Sequence, residues 1–265
     1  MLSMDNISKE IRANILNISH HSGHGHIPTC FSVVEMLRAV YETMQHDPKQ
    51  PDWDERDIFI LSKGHAALGL YCTLAHYGYF PISDVFTFGA FESRFGCHAD
   101  RFKVPGVELS SGSLGHGIGV AVGMALGLKL SGSARNVFVL IGDGESNEGT
   151  VWEAVMVAAN LGLDNLTVLF DNNCSQSRCL PISRPEEKFD SFGFTVLAVD
   201  GHDLPAIKNA IQHHPAKGAS RVIVAHTTKG KGCPSVTSDV FAWHRRSPNK
   251  DELKTMLGEL NETSI

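Results

Sequence analysis

Between Asn136 and Ile141 the chain reads NVFVLI, a nearly unbroken apolar run. A strand with one wet face alternates apolar and polar residues. A run without that alternation fits a strand buried on both faces, the usual condition in parallel sheets covered by helices. LTVLF at Leu166–Phe170 is a second such run, and further strands are expected at Asp57–Leu61, Phe194–Val199 and Arg221–Ala225. Helical spacing falls at His65–Tyr77, Leu114–Leu130, Gly149–Leu161, Asp203–His213 and Lys250–Leu260, and the polar start Met1–Asn17 is helix-like. Strands alternating with helices predict an α/β fold, a mostly parallel sheet with helices on both faces, formed by residues 1–265 as a single domain. In such sheets ligands bind beyond the carboxyl ends of the strands, so the residues just after each strand carry the most information.

Bulk properties remove several function classes. A net charge of −6 argues against nucleic acid or an anionic membrane as partner. Leu114–Leu130 is the most apolar stretch, but it is short of the roughly 20 residues a membrane span needs and carries His116 and Lys129. It reads instead as a helix packed closely by small residues. The first residues carry no apolar signal segment, and six cysteines are scattered without a CxxC pair. Reduced thiols and a cytoplasmic location are therefore expected. Cys174 and Cys179 lie close in sequence, but no nearby Cys or His pair completes a tetrahedral metal set.

The segment from Asn136 to Asn173 is one strand–helix–strand unit, with GDGESNEG after the first strand and DNN after the second. A right-handed crossover makes the two strands parallel, and adjacency brings their carboxyl ends side by side. Asp143 and Asn173 then face each other. A carboxylate, an amide oxygen and the Ser175 carbonyl suit a hard cation, Mg²⁺ with Ca²⁺ as an alternative, which also takes phosphate oxygens and water. Gly142 and Gly144 let the backbone turn tightly, and the N–H groups of Gly144 and Glu145 can then point at a phosphate near a helix start. GDG or DNN alone is a common turn; the pair, spaced by a helix and a strand, is much more specific.

That spacing resembles the signature of thiamine-diphosphate enzymes, and GDGESNEGTVWEAVMVAANLGLDNLTVLFDNN is similar to the transketolase branch. Four further segments resemble transketolase motifs: SGHGHIP at His24, LSKGHAALGLY at His65, FGCHAD at His98 and FAWHRRSPN at His244. The resemblance implies a thiamine diphosphate-binding fold, with Asp143, Asn173 and the Ser175 carbonyl holding the metal and Gly144 touching the diphosphate. It implies that His65 and His244 contact the diphosphate while His24 and His98 face the substrate. Gly112 and Leu114, in SSGSLGHG, match the loop that lines the cofactor rings, where Ser113 is also a candidate helix N-cap. Glu148 and Glu153 match acidic residues at the family's subunit interface; read alone, they are first-turn helix carboxylates. Imidazoles donate and accept protons near neutral pH, as ketol transfer between sugar hydroxyls requires. His20, His21, His26, His213 and His214 fall outside the matched positions and receive no role.

Nothing in the chain resembles the family's pyrimidine-binding domain, which carries the glutamate that activates the cofactor; only a short helical tail follows His244. The resemblance therefore implies half of a split enzyme. The partner is a separate C-terminal transketolase-like subunit in an α2β2 assembly, acting on a ketose or 2-oxo acid donor and an aldehyde acceptor. Three positions depart from the family pattern: Ala99 replaces a proline, His116 a glutamine, and Gly89 an arginine, with Arg94 nearby but out of register. These departures flank the substrate-facing loop and suggest an atypical sugar. Other thiamine-diphosphate chemistry, such as a 2-oxoacid dehydrogenase, is opposed by the full histidine set. A non-catalytic protein of the same fold is opposed by the retention of Asp143, Asn173, His65 and His244. A nicotinamide dehydrogenase is opposed by Asn147, which stands where the third glycine of GxGxxG belongs.

Overall fold

The computed structural model describes residues 4–215 and 217–262. In chain order the elements are α1 (Asn6–Ser22), α2 (Ile27–Ser32), α3 (Val34–Tyr41), β1 (Ile58–Leu61), α4 (Ala67–His76), α5 (Ile82–Val85), α6 (His116–Leu130), β2 (Val137–Gly142), α7 (Gly149–Asn160), β3 (Leu166–Asn172), α8 (Pro185–Ser191), β4 (Thr195–Asp200), α9 (Leu204–Gln212), β5 (Arg221–His226), α10 (Pro234–Thr237) and α11 (Lys250–Glu262). The five strands form one sheet in the order β1-β2-β3-β5-β4, with every pairing parallel. All five lie where the apolar runs predict them.

Alternate residues of each central strand enter different cores. Phe138 and Leu140 of β2 join Leu169 and Ile223 in the core covered by α1, α3, α4, α9 and α11. Val137, Val139 and Ile141 join Val168, Phe170 and Val222 in the core covered by α6, α7 and α8. Both faces are thus dry, which is why β2 is fully buried and its sequence does not alternate. β4 lies at the edge and is only partly buried.

Two local outcomes differ from the sequence reading. The helix expected from Leu114 begins at His116, and its N-cap is Gly115 in the left-handed region (φ 81°) with no side-chain capping bond. Ser113 therefore does not cap it, because the chain reaches the helix through a turn that a glycine accommodates. The expected helix at His65 opens with a short 3-10 turn over Gly64–Ala66 before α4. Met1–Ser3, part of the helix-like start, lie outside the described residues. No helix among the described residues is long and apolar enough to cross a membrane.

Candidate active site

The pairing of β2 with β3 sets Gly142 beside Asp171, so the two following loops leave the sheet together. Asp143 and Asn173 are both buried, and Ser175 joins them. Its hydroxyl donates to Asp143 Oδ1 at 2.6 Å and its N–H donates to Asn173 Oδ1 at 3.0 Å. The Gly144 N–H donates to Asp143 Oδ1 at 2.8 Å, so its first partner is a carboxylate rather than a phosphate.

Behind this loop pair a buried carboxylate fixes the geometry. Asp171 Oδ2 accepts from Lys63 Nζ at 2.5 Å, Ser32 Oγ at 2.7 Å and Asn173 Nδ2 at 2.7 Å, while Oδ1 accepts from Thr227 Oγ1 at 2.5 Å. Because the Asn173 amide nitrogen is committed to Asp171, its oxygen turns to the opposite side, towards Ser175. Burial opposes the Asp171 charge, yet the Lys63 ammonium and the Thr227 and Ser32 hydroxyls hold its pKa below the usual carboxylate value. Glu145 is a second strut: Oε1 accepts from Ser62 Oγ and the Gly115 N–H, and Oε2 accepts from the Gly142 N–H. Its side chain is thus occupied within the protein, leaving only its backbone for a ligand.

These loops form one wall of a cavity of about 670 Å³. All twelve sequence-predicted positions, His24, His65, His98, His244, Gly112, Leu114, Gly142, Asp143, Gly144, Glu145, Asn173 and Ser175, line it. His26, Lys63, Lys229 and Arg245 line it too. The signal for Lys63 and Lys229 was present, since each follows a strand carboxyl end, in LSKGH after β1 and HTTKG after β5. Lys229 is held in place by its neighbour: the Thr228 N–H donates to His202 Nε2 at 2.8 Å. His202 Nδ1 meets Glu35 at 3.0 Å, and Arg12 pairs with the same carboxylate at 2.6 Å.

The cavity is crowded with positive charge. Burial first, then the charges of Lys63, His26, Lys229 and His244, push the His65 pKa down to about 2. Burial, His244, Arg245, His98 and Lys229 push His26 down to about 4. His244 is lowered by burial, Lys229 and Arg245. Burial and Lys63 also lower Lys229, against the pull of Asp143 and Asp171. A site in which cations depress one another is suited to a polyanion.

The departures from the family pattern have different local surroundings. Gly89 has φ 71°, and a Cβ there would lie 2.8 Å from His24 Cδ2, so a side chain at this position would collide with a cavity histidine. Arg94 pairs with Asp84 at 2.8 Å and stacks over Phe80 and Phe95, outside the cavity lining. Ala99 is buried and its carbonyl accepts from the Ser111 N–H. His116 is exposed and its Nδ1 lies 3.0 Å from the Leu114 carbonyl. Cys174 and Cys179 are exposed free thiols. Among the described residues no group of three His, Cys, Asp or Glu is placed to hold a metal.

The donor set fits a hard cation: the oxygens of Asp143 and Asn173 are preset by buried bonds and drawn together by Ser175, while the adjoining cations fit a diphosphate. A family model described as transketolase, thiamine diphosphate binding domain, matches residues 3–260. One subunit of the apulose-4-phosphate transketolase of Actinobacillus succinogenes is 38% identical over 272 residues, covering 98% of each chain. The 6-deoxy-6-sulfo-D-fructose transketolase subunit SqwG of a Clostridium species is 36% identical over 247 residues, covering 91% of this chain and 90% of that one. The solved transketolase from Leishmania mexicana superposes with a TM-score of 0.88 at 28% identity, covering 98% of this chain but 42% of its own. The chain thus spans nearly the whole of two subunit-sized relatives and about two-fifths of the solved transketolase. It belongs to the transketolase family, as a thiamine diphosphate-binding domain.

Proposed function

We propose that this chain is the diphosphate-binding subunit of a heteromeric transketolase-like transferase. With a C-terminal subunit carrying the pyrimidine-binding domain, it moves a two-carbon ketol unit from a ketose to an aldehyde. The observation that carries the reading is the convergence of Asp143 and Asn173, through Ser175, on a cation-lined cavity that five histidines enter. Asp143, Asn173 and Ser175 would hold Mg²⁺, with Ca²⁺ as an alternative, and the Gly142–Glu145 turn would lie against the diphosphate. Thiamine diphosphate, when bound, supplies the nucleophilic carbon and electron sink that ketol transfer needs.

The chain's own residues bind, orient and move protons. Lys229, His65 and His244 meet the diphosphate charge, and Lys63 keeps the loop pair rigid through Asp171. Gly112 and Leu114 lie against the cofactor rings. His24 and His98 hold sugar hydroxyls and exchange protons with them. Exposed Val120 on α6, Met156 and Val157 on α7 and Leu161 just after α7, with exposed Glu148 and Glu153 nearby, support burial of this face in an assembly, proposed as α2β2. The names of the two subunit-sized relatives support an atypical sugar as substrate. We place the enzyme in the cytoplasm and treat the described fold as one domain.

Titration of thiamine diphosphate with Mg²⁺ into the chain alone, and into the chain with the product of its neighbouring gene, tests the reading. Tight binding and ketol transfer are expected only for the pair. A pair that neither binds the cofactor nor transfers from any ketose overturns the function. Efficient use of xylulose 5-phosphate by the pair overturns the atypical substrate alone.

A further inference from the structure

Lys229 is buried in the cavity wall, and among the described residues its ammonium has no hydrogen-bond or ion-pair partner. Lys63, in the same cavity, is neutralised by Asp171 and repels it. An unpaired ammonium in a largely dry wall is unfavourable until an anion meets it, so the segment that carries it needs anchors. Three consecutive ties supply them. The Thr227 N–H donates to the Asn172 carbonyl at 3.2 Å, and the Gly230 N–H donates to the Pro28 carbonyl at 3.0 Å. Between them the Thr228 N–H, directly before Lys229, donates to His202 Nε2 at 2.8 Å. Of these three backbone N–H groups, only that of Thr228 is held by a side chain.

The sheet explains why His202 is within reach. β4 pairs with β5 so that Asp200 stands opposite His226, and the residues two beyond each, His202 and Thr228, leave the sheet side by side. The approach is close enough that a Cβ at Gly201 would collide with Thr227 Cγ2. The bond to Thr228 also fixes the tautomer. Nε2 accepts, so the ring proton sits on Nδ1, which donates to Glu35 Oε2 at 3.0 Å. Arg12, fully buried, grips the same carboxylate with both terminal nitrogens, at 2.6 and 2.7 Å. Burial opposes the Glu35 charge, yet Arg12 and His202 hold its pKa well below the usual carboxylate value. A charged carboxylate that cannot move leaves the imidazole one orientation. The chain Arg12–Glu35–His202–Thr228 thus runs from α1 and α3, across the turn after β4, to the backbone beside Lys229.

We propose that His202 is a positioning residue, an imidazole locked by the Arg12–Glu35 pair that holds the Thr228 backbone so that the Lys229 ammonium meets the cofactor diphosphate. This rests on the diphosphate-binding reading above.

The test uses the reconstituted two-subunit enzyme with His202→Asn and His202→Gln. The asparagine amide can replace Nδ1 against Glu35 but is too short to reach Thr228, whereas the glutamine oxygen can take the place of Nε2. The Kd for thiamine diphosphate with Mg²⁺ is measured by calorimetry, and the ketose KM is measured at saturating cofactor. Amide hydrogen exchange of residues 226–231 is followed without cofactor. His202→Asn is expected to raise the cofactor Kd about tenfold, the loss for one uncharged hydrogen bond, and to speed exchange at Thr228, while the ketose KM moves less than about twofold. His202→Gln is expected to recover part of the Kd loss. In a Lys229→Met background, His202→Asn should add less than about twofold to the cofactor Kd, because the cation it positions is gone. An unchanged cofactor Kd or unchanged Thr228 exchange in His202→Asn, no recovery in His202→Gln, or an undiminished effect in the Lys229→Met background overturns the assignment. An unaltered pair that binds no thiamine diphosphate defeats the diphosphate reading and this assignment together, whereas an unaltered pair and a His202→Asn pair that bind it equally well defeat the assignment alone.

Discussion

Around the loop pair that follows β2 and β3, the polar side chains are bonded to one another. Asp171 alone takes four donors, Glu145 takes three, and Ser175 spans Asp143 and Asn173. The histidine side of the same cavity is built differently. Of its five imidazoles, the hydrogen bond to Thr29 Oγ1 at 3.4 Å from His65 Nε2 is the single protein partner among the described residues. One wall is rigid before any ligand arrives, as suits a metal and a diphosphate that recur unchanged in every cycle. The other keeps its nitrogens open, as suits sugars that arrive, react and leave. Preorganisation and availability are opposite demands on a polar group, and here they are met by different strands and loops.

Perturbing the rigid wall should have the larger consequences. Asp171→Asn leaves the Lys63 ammonium buried without its counter-charge and is expected to cost about 3–5 kcal/mol of stability in denaturant unfolding. Adding Lys63→Met to Asp171→Asn should recover part of that loss; no recovery would mean the pair is not the source of the effect. Asp143→Asn should leave stability nearly unchanged but weaken Mg²⁺-dependent cofactor binding by more than about 100-fold, read by calorimetry on the subunit pair. If Asp143→Asn bound the cofactor normally, the contrast between the walls would disappear.

The open wall should respond to pH. Unfolded imidazoles take up protons near pH 6.5, whereas native His65 does so only at about 2 and His26 at about 4. Between those values the unfolded chain binds more protons, so stability falls as the pH drops below about 6.5 and continues to fall until the native groups protonate. Melting temperatures of the ligand-free chain should therefore decline from pH 7 to 4, and His65→Asn and His26→Asn should each flatten the decline. A slope unaffected by either substitution would assign the effect to other groups. The smallest change is expected from Gly89→Ala. The left-handed backbone there costs an alanine about 1–2 kcal/mol, and the new Cβ pushes His24 aside. Sugar KM should rise while cofactor affinity holds, because among the described residues no hydrogen bond anchors the His24 ring; only its backbone is tied, to Ser22.

The strands were legible because burial on both faces writes itself into consecutive residues. NVFVLI and LTVLF needed no partner to be read, and the crossover rule then brought Asp143 to Asn173. Short elements were less legible. α2 and α3 lie in a stretch read for its SGHGHIP motif, and α6 begins from a left-handed Gly115 rather than from Ser113. Motif spacing picked out twelve cavity residues, yet left His26 aside because the SGHGHIP motif was assigned to His24, two residues earlier.

Local patterning in the chain was enough for the parallel sheet, for the two loops bearing Asp143 and Asn173, and for the four motif histidines, since each depends on residues near one another in sequence or on a short crossover. Which way the Asn173 amide faces, that Lys63 neutralises Asp171 from 108 positions away, and that His26 stands between His65 and His244 depended on the assembled fold. Hydrogen bonds and ring contacts of that kind join segments whose separation in the chain carries no information about their distance in space. They exist only once the strand order β1-β2-β3-β5-β4 has fixed which carboxyl ends are neighbours.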